Sequence, residues 1–284
     1  MKVLIFGASG MLGNAMFRIF SEAPGHQTFA TARTGAARSH FSARLADNMV
    51  CGVDVENHDS LERVFGQVRP ELVINCIGVV KQLAESADPL LTIPINALLP
   101  HRLAVLCKIS GARLVQISTD CVFSGRKGMY TEADFPDADD LYGRSKLLGE
   151  VDYPHALTLR TSIIGRELTG NRSLVNWFLA QEGSTRGFTR AVFSGLPTVV
   201  LARLIRDVIV PRPELCGLYH VAAAPINKFD LLSLIAQVYR KQIVIEPDDR
   251  LILDRSLDAQ RLRAATGYVA APWEDLIRTM HAFQ

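Results

Sequence analysis

Cysteine is scarce: five residues in 284, at Cys51, Cys76, Cys107, Cys121 and Cys216, with no C-x-x-C pair among them. An odd, scattered set argues against a disulfide framework or a zinc site and fits a reducing compartment. Charge is nearly balanced, at net +2 with no Lys/Arg run, so electrostatics give no case for nucleic acid or a membrane surface. No apolar run approaches the ~20 residues of a membrane span. Met1 leads directly into a strand pattern, leaving no room for a signal peptide. The expectation is a cytoplasmic protein. The histidines show no metal-ligand spacing, so no protein-bound metal is expected in the chemistry. Internal repeats, low-complexity segments and a clean linker are also lacking.

What is present is ordinary globular material, 48% hydrophobic and 21% charged, in a chain long enough for one large domain or two small ones. Strand and helix signals alternate through the first half, which predicts an α/β fold with a doubly wound parallel sheet. Strands are expected at 2–6, near 27–31, near 50–53, and at 71–76, 112–118 and 156–161. Helices should fill 11–21, 58–67, about 96–110 and 142–151. Past Gly165 the alternation loosens. Residues 1–165 therefore read as one doubly wound domain, which the glycine-rich turn Gly7–Gly13 after its first strand marks as Rossmann-type and dinucleotide-binding. Residues 166–284 read as a smaller C-terminal substrate-binding lobe, some of whose segments return to the main sheet.

Three segments carry chemistry. Lys2–Phe6 is a short apolar strand followed at once by Gly7-Ala8-Ser9-Gly10-Met11-Leu12-Gly13 and a helical pattern. Strand, glycine-rich turn and helix are the context in which a dinucleotide pyrophosphate meets a helix N-terminus. The spacing is G-x-x-G-x-x-G. Leu114–Ser118 is an apolar strand ending in Ser118-Thr119-Asp120, at the carboxyl edge where such sheets place ligands. Tyr142-Gly143-Arg144-Ser145-Lys146 sets a phenol and an ammonium on one helix face. A lysine beside a tyrosine favours the phenolate and lowers a pKa that is otherwise near ~10. Such a pair can protonate a carbonyl oxygen while hydride reaches the carbon.

Together, G-A-S-G-M-L-G at 7–13, N-C-I-G at 75–78, S-T-D-C-V-F-S-G at 118–125, Y-G-R-S-K at 142–146 and L-R-T-S at 159–162 resemble the extended short-chain dehydrogenase/reductase family. Within it the chain looks like the nucleotide-sugar 4-keto reductases typified by dTDP-4-dehydrorhamnose reductase. Gly195-Leu196-Pro197-Thr198 and Gly217-Leu218-Tyr219-His220-Val221 also look like that branch. The resemblance implies Thr119, Tyr142 and Lys146 as catalytic residues. It implies a coenzyme site of Gly7, Ser9, Gly10, Met11, Leu12, Gly13, Asp54, Val55, Cys76, Ile77, Gly78, Tyr142 and Lys146. Asp54 with Val55 would bracket the adenine, although a local Asx turn explains Asp54 equally simply. Asn96 is either a helix cap or a brace for the active-site lysine.

The end of the second strand has no acid and does have Arg33, which favours NADP(H) and leaves NAD(H) open. Arg38 could assist or be an ordinary loop arginine. Lys81, Thr119, Cys121, Tyr142, Ile163 and Trp177 are the candidate contacts to a nucleotide-sugar substrate. Cys121 and Ile163 stand where the rhamnose-forming enzymes commonly carry aromatics, so a related sugar fits as well. Asp120, Arg160 and His220 read as structural, with Arg160 needing a partner if buried. A homodimer is compatible with this reading. The rivals are an epimerase that retains its coenzyme, and a non-catalytic dinucleotide-binding subunit resembling the β subunit of methionine adenosyltransferase.

Overall fold

The computed structural model describes residues 1–79 and 84–283. Seven parallel strands form the main sheet: β1 (Lys2–Phe6), β2 (Gln27–Ala32), β3 (Met49–Cys51), β4 (Leu72–Asn75), β5 (Arg113–Thr119), β6 (Ala156–Thr161) and β7 (Gly217–His220). Their order is β7-β6-β5-β4-β1-β2-β3. The chain runs outward from β1 through β2 to β3, then returns to β4 and proceeds the other way. The crevice at the carboxyl ends of β1 and β4 is thus the topological switch point, where doubly wound sheets bind ligands.

Alternate side chains of each strand feed two apolar layers, because successive Cβ atoms point to opposite faces. Val3 and Ile5 pack toward helix α1 (Met11–Glu22), whose Leu12, Ala15, Met16, Ile19 and Phe20 recur at helical spacing. Leu4 and Phe6 pack toward α2 (His58–Val68) and α3 (Leu99–Ser110). Both faces are covered, which is why the strands read as near-continuous apolar runs. The α1 layer also contains Leu201 and Ala202 of α5 (Thr198–Leu204) and Ile277 and Met280 of α7 (Trp273–Ala282), so the last third of the chain is built into that core. In the sequence, α4 (Leu141–Leu148) precedes α5, and α6 (Lys228–Tyr239) lies between α5 and α7.

Two expectations are corrected. The third strand stops at Cys51, because Gly52 turns the backbone at φ +74°, and Asp54 lies beyond it in an exposed turn. Pro89–Ser110 forms one helical run long and apolar enough to cross a membrane by length and composition, with half of its apolar stretch buried in the fold. The sequence hides the first part of this run because Pro94 reads as a breaker. The structure passes Pro94 through a π-helical turn, Pro94–Leu98, and seats Pro100 in the first turn of α3.

Candidate active site

The glycine-rich turn forms a cradle. Gly7 sits at φ +93°, and a side chain there would meet Ile77; one at Gly13 would strike the Gly7 carbonyl. Ala8 N–H donates to the Thr31 carbonyl at 2.9 Å, tying the turn to β2. Helix α1 starts at Gly10 with no side-chain cap and no acid in its first turn. Ser9 and Gly10 are exposed there. Uncapped amides at the positive end of a helix suit a pyrophosphate, so these residues fit a dinucleotide. Arg33, just past β2, is exposed and makes no hydrogen bond or ion pair among the described residues. Arg38 is engaged, donating to the Met49 carbonyl at 3.0 Å. Asp54 Oδ1 accepts the Glu56 N–H at 3.0 Å, the local Asx turn, while Val55 and Ile77 each pack against the α2 layer.

Lys146 enters the crevice from α4. It is buried, and its ammonium donates to the Ile117 carbonyl at 2.7 Å. Burial pulls its pKa down to about 8, against the pull of Glu150 and Cys76. Burial likewise raises the Cys76 thiol to about 12. A side chain at Gly78 would fall 3.2 Å from Asn96 Oδ1 and 3.8 Å from Lys146 Nζ, so Gly78 keeps the floor of the crevice open. Asn96 lies within the π-helical turn and caps no helix. Its Oδ1 accepts the Val79 N–H at 2.9 Å, and its Nδ2 donates to the Val79 carbonyl at 3.3 Å and to Ser145 Oγ at 3.2 Å. Asn96 thus clamps the loop after β4 to the helix that carries Tyr142 and Lys146.

Helix α4 is capped by Asp140, whose Oδ1 accepts the Gly143 N–H at 2.7 Å. Gly143 faces the Cys121 carbonyl so closely that any side chain there would collide with it. This is why a glycine follows the tyrosine: it lets α4 press onto the segment carrying Thr119. The Thr119 hydroxyl lies near the Tyr142 phenol and works to lower its pKa. Thr119 Oγ1 also accepts the Cys121 N–H at 3.1 Å and lies 3.2 Å from Asp120 Oδ1.

The phenol pKa is raised rather than lowered, first by burial and then by the Cys121 thiol, with Asp120 and Asp140 adding to it. That corrects the expectation of a lysine-acidified tyrosine. In the chain by itself the ammonium is directed at Ile117, and the phenol holds its proton.

On the lobe side, Cys121 stands beside Tyr142 and bears electrostatically on both Tyr142 and Lys228. Ile163 follows β6 directly, paired with Leu196 in a short ribbon. Trp177 is 37% exposed on the helix Leu174–Ala180 and makes no ring contact among the described residues, whereas Phe178 is fully buried. Lys81 lies outside the described residues. Arg160 does have its partner, a bidentate pair with Glu150 at 2.7 Å, and His220 joins the same buried cluster 3.3 Å from Arg160.

Sequence reasoning missed Lys228 and Arg255. The Lys228 ammonium lies 4.8 Å from the Phe193 ring centroid and in the field of Asp120 and Cys121. Arg255 donates to the Phe123 carbonyl at 2.8 Å and acts on Asp120. Both lie more than a hundred residues beyond Asp120, and neither sits in a motif, so only the fold could reveal them.

The chain is 30% identical over 169 residues to a probable low-salt glycan biosynthesis reductase, Agl14, of Haloferax volcanii, covering 58% of this chain and 54% of that protein. It is 29% identical over 149 residues to methionine adenosyltransferase 2 subunit beta of Rattus norvegicus, covering 52% of this chain and 41% of that one. The chain thus spans about half the length of these two relatives. Against dTDP-4-dehydrorhamnose reductase of Salmonella typhimurium it is 27% identical over 254 residues, covering 85% and 79%. Among solved structures, a dTDP-4-dehydrorhamnose reductase from Bacillus anthracis in complex with NADP superposes with a TM-score of 0.80 at 22% identity, covering 100% and 99%. At that identity the likeness speaks for the fold, a Rossmann-type sheet. A profile described as the RmlD substrate binding domain matches residues 1–280. The chain belongs to the RmlD substrate binding domain family and carries the extended short-chain dehydrogenase/reductase fold.

Proposed function

We propose that this chain reduces the 4-keto group of a 4-keto-6-deoxy nucleotide sugar with NADPH, in the synthesis of a surface-polysaccharide precursor. The observation that carries the reading is the helix bearing Tyr142 and buried Lys146, pressed at Gly143 onto the segment that follows Thr119 and beside an uncapped, glycine-lined helix N-terminus. Residues 1–165 would hold the dinucleotide and residues 166–284 would close over the sugar. Gly7, Ser9, Gly10, Met11, Leu12 and Gly13 would receive the pyrophosphate, and exposed Arg33 would take the 2′-phosphate that distinguishes NADPH. Bound NADPH would supply hydride to the sugar C4.

The chain's own contribution is the proton and the field around it. Tyr142 keeps its hydrogen at neutral pH and gives it to the C4 oxygen. Thr119 would turn its hydroxyl from Asp120 Oδ1 to the same oxygen as negative charge develops there. Lys146, a desolvated cation next to the crevice floor, would hold the nicotinamide ribose and stabilise the phenolate left by transfer.

A regulatory reading is favoured by one observation, the likeness to a methionine adenosyltransferase subunit. Loss of NADPH absorbance, measured against a panel of dTDP- and UDP-linked 4-keto sugars, separates the two. Turnover on one sugar, reduced about 10²–10⁴-fold in Tyr142→Phe with NADPH affinity unchanged, is the expected result. An unaffected Tyr142→Phe enzyme refutes the mechanism. Tight dinucleotide binding with no turnover on the panel, together with stoichiometric recovery of a partner, favours the regulatory reading.

A further inference from the structure

A cavity of about 300 Å³ opens at the amino-terminal end of β2, at the opposite end of the strands from the crevice. Its lining comes from three parts of the chain: Ser21 in the last turn of α1, His26 and Thr28 around the start of β2, and Arg44 and Asn48 in the connection from β2 to β3. Five buried side-chain atoms lack a hydrogen-bond partner among the described residues. Three of them belong to this lining: Ser21 Oγ, His26 Nδ1 and Thr28 Oγ1. Thr28 is 3% exposed, so its hydroxyl has no recourse to bulk water. A buried polar group without a partner costs stability and calls for an explanation. Three such groups around one cavity share a single one, a ligand that they serve.

Charge says what kind. Arg44 supplies the charge of the lining, and no carboxylate lines the cavity among the described residues. Arg44 is exposed, and its guanidinium makes no hydrogen bond, ion pair or ring contact among the described residues. The groups that act on His26 are also cationic: the Met1 ammonium, which donates to the Gly25 carbonyl at 2.7 Å, and Arg206. Burial, the ammonium and Arg206, in that order, lower the His26 pKa, so the ring sits in a positive field. Arg206 is itself paired with Asp207 at 2.6 Å, which leaves Met1 and Arg44 as the cations without a carboxylate partner among the described residues. The negative end of α1 is muted there. Its Ile19 carbonyl accepts from Arg206 at 2.9 Å, and its Phe20 carbonyl accepts the Ala23 N–H at 3.3 Å.

We infer that this cavity is a binding site for a phosphate group, free or carried on a small organic molecule, held by the Arg44 guanidinium and the hydroxyls of Ser21 and Thr28. Each of those groups can donate, and His26 would donate from Nδ1. Donors from three parts of the chain match the several oxygens of a phosphate better than the two of a carboxylate. A χ1 rotation between staggered wells is what would present either hydroxyl to the ligand. The volume decides against a lone water, whose share of the liquid is ~30 Å³, and reaches the lower end of the about 300–1,000 Å³ of small-molecule sites. A phosphate there would tie α1 to the connection between β2 and β3, the segment that carries Arg33. The inference stands apart from the reductase reading, since neither the crevice nor its chemistry enters it.

Calorimetry with sodium phosphate as the probe, against chloride at equal ionic strength, tests this directly. Wild type should bind phosphate saturably, and Arg44→Ala, at an exposed position, should weaken that binding about tenfold or more. Arg33→Ala should not, which separates this cavity from a phosphate site of the coenzyme. Ribose 5-phosphate, titrated in parallel, tells a free ion from a carried group. Tighter binding than inorganic phosphate assigns the site to a phosphomonoester, and equal or weaker binding assigns it to the free ion. No saturable binding of either, or binding that Arg44→Ala leaves unchanged, overturns the inference.

Thr28→Val gives a readout that a cavity holding water only would not. In phosphate-free buffer its Tm should stay level or rise, because a methyl replaces a buried hydroxyl that has no partner. In saturating phosphate the variant should lose part of the rise in Tm that wild type shows. Phosphate also stabilises proteins by exclusion from their surface, a rise common to all the variants, so only the saturable part counts. An equal change in both buffers overturns the inference. The His26 ring resonance, identified by its loss in His26→Gln, should titrate at higher pH with phosphate than without, because an anion favours the imidazolium. A midpoint that phosphate leaves in place also overturns it.

Discussion

Asn96→Ala is the sharpest perturbation of the crevice that leaves its chemical groups in place. The side chain is 1% exposed and makes three hydrogen bonds, two of them to the backbone of Val79. Truncation leaves the Val79 N–H and C=O without those partners in a site where Val79 is 9% exposed. Each orphaned buried group costs about 1–3 kcal/mol. Ser145 loses only an acceptor role, since its own hydroxyl still donates to the Tyr142 carbonyl at 2.9 Å. The expected destabilisation is about 2–4 kcal/mol, toward the lower value if a water enters the space left by the amide. For a chain of this size that is a fall in Tm of roughly 5–10 °C.

Urea unfolding of wild type, Asn96→Ala and Ser145→Ala measures it directly. Ser145→Ala should cost only about 1 kcal/mol. The argument fails if Asn96→Ala unfolds within about 0.5 kcal/mol of wild type, the range of an ordinary surface substitution. It also fails if Ser145→Ala is the more damaging of the two, since the clamp on Val79 would then not be what the asparagine provides.

Two further outcomes follow from charge. Lys146 titrates near about 8, so turnover that depends on its ammonium should decline as pH rises through that value. Asn96→Asp sets a carboxylate no more than 7.0 Å from Lys146 Nζ, by way of the gap above Gly78, and should shift that decline to higher pH, because a nearby anion favours the protonated lysine. A decline that stays put, or moves down, refutes the assignment to Lys146. Arg33→Ala should leave stability within about 0.5 kcal/mol, since the side chain is exposed and unpaired among the described residues. It should weaken NADPH binding about 10–100-fold while sparing NADH, the loss of one charge-assisted phosphate contact. Equal weakening of both coenzymes by calorimetry would show that Arg33 does not read the 2′-phosphate.

The sheet was legible because its signals are local. An apolar run between turn residues makes a buried strand wherever it stands, and the six strands expected in the first 165 residues all form, within a few residues of their expected ends. The end of the third strand was misplaced because a three-residue strand gives no periodicity to mark its end, and a glycine at positive φ stops it early. The helical run through Pro94 was missed because proline forbids one hydrogen bond, and sequence alone does not say that a π-turn will absorb the loss.

By itself, the sequence determined the order of strands and helices, the glycine cradle, and the residue types that carry protons, since each rests on spacing within a few positions. The tertiary structure decided what those residues experience. Burial raised the Tyr142 phenol and lowered Lys146, because desolvation depends on every atom packed around a charge rather than on its neighbours in the chain. Folding also brought Lys228 and Arg255 to Asp120, and turned Asn96 into a clamp between the loop at Val79, 17 residues before it, and the helix at Ser145, 49 residues after it.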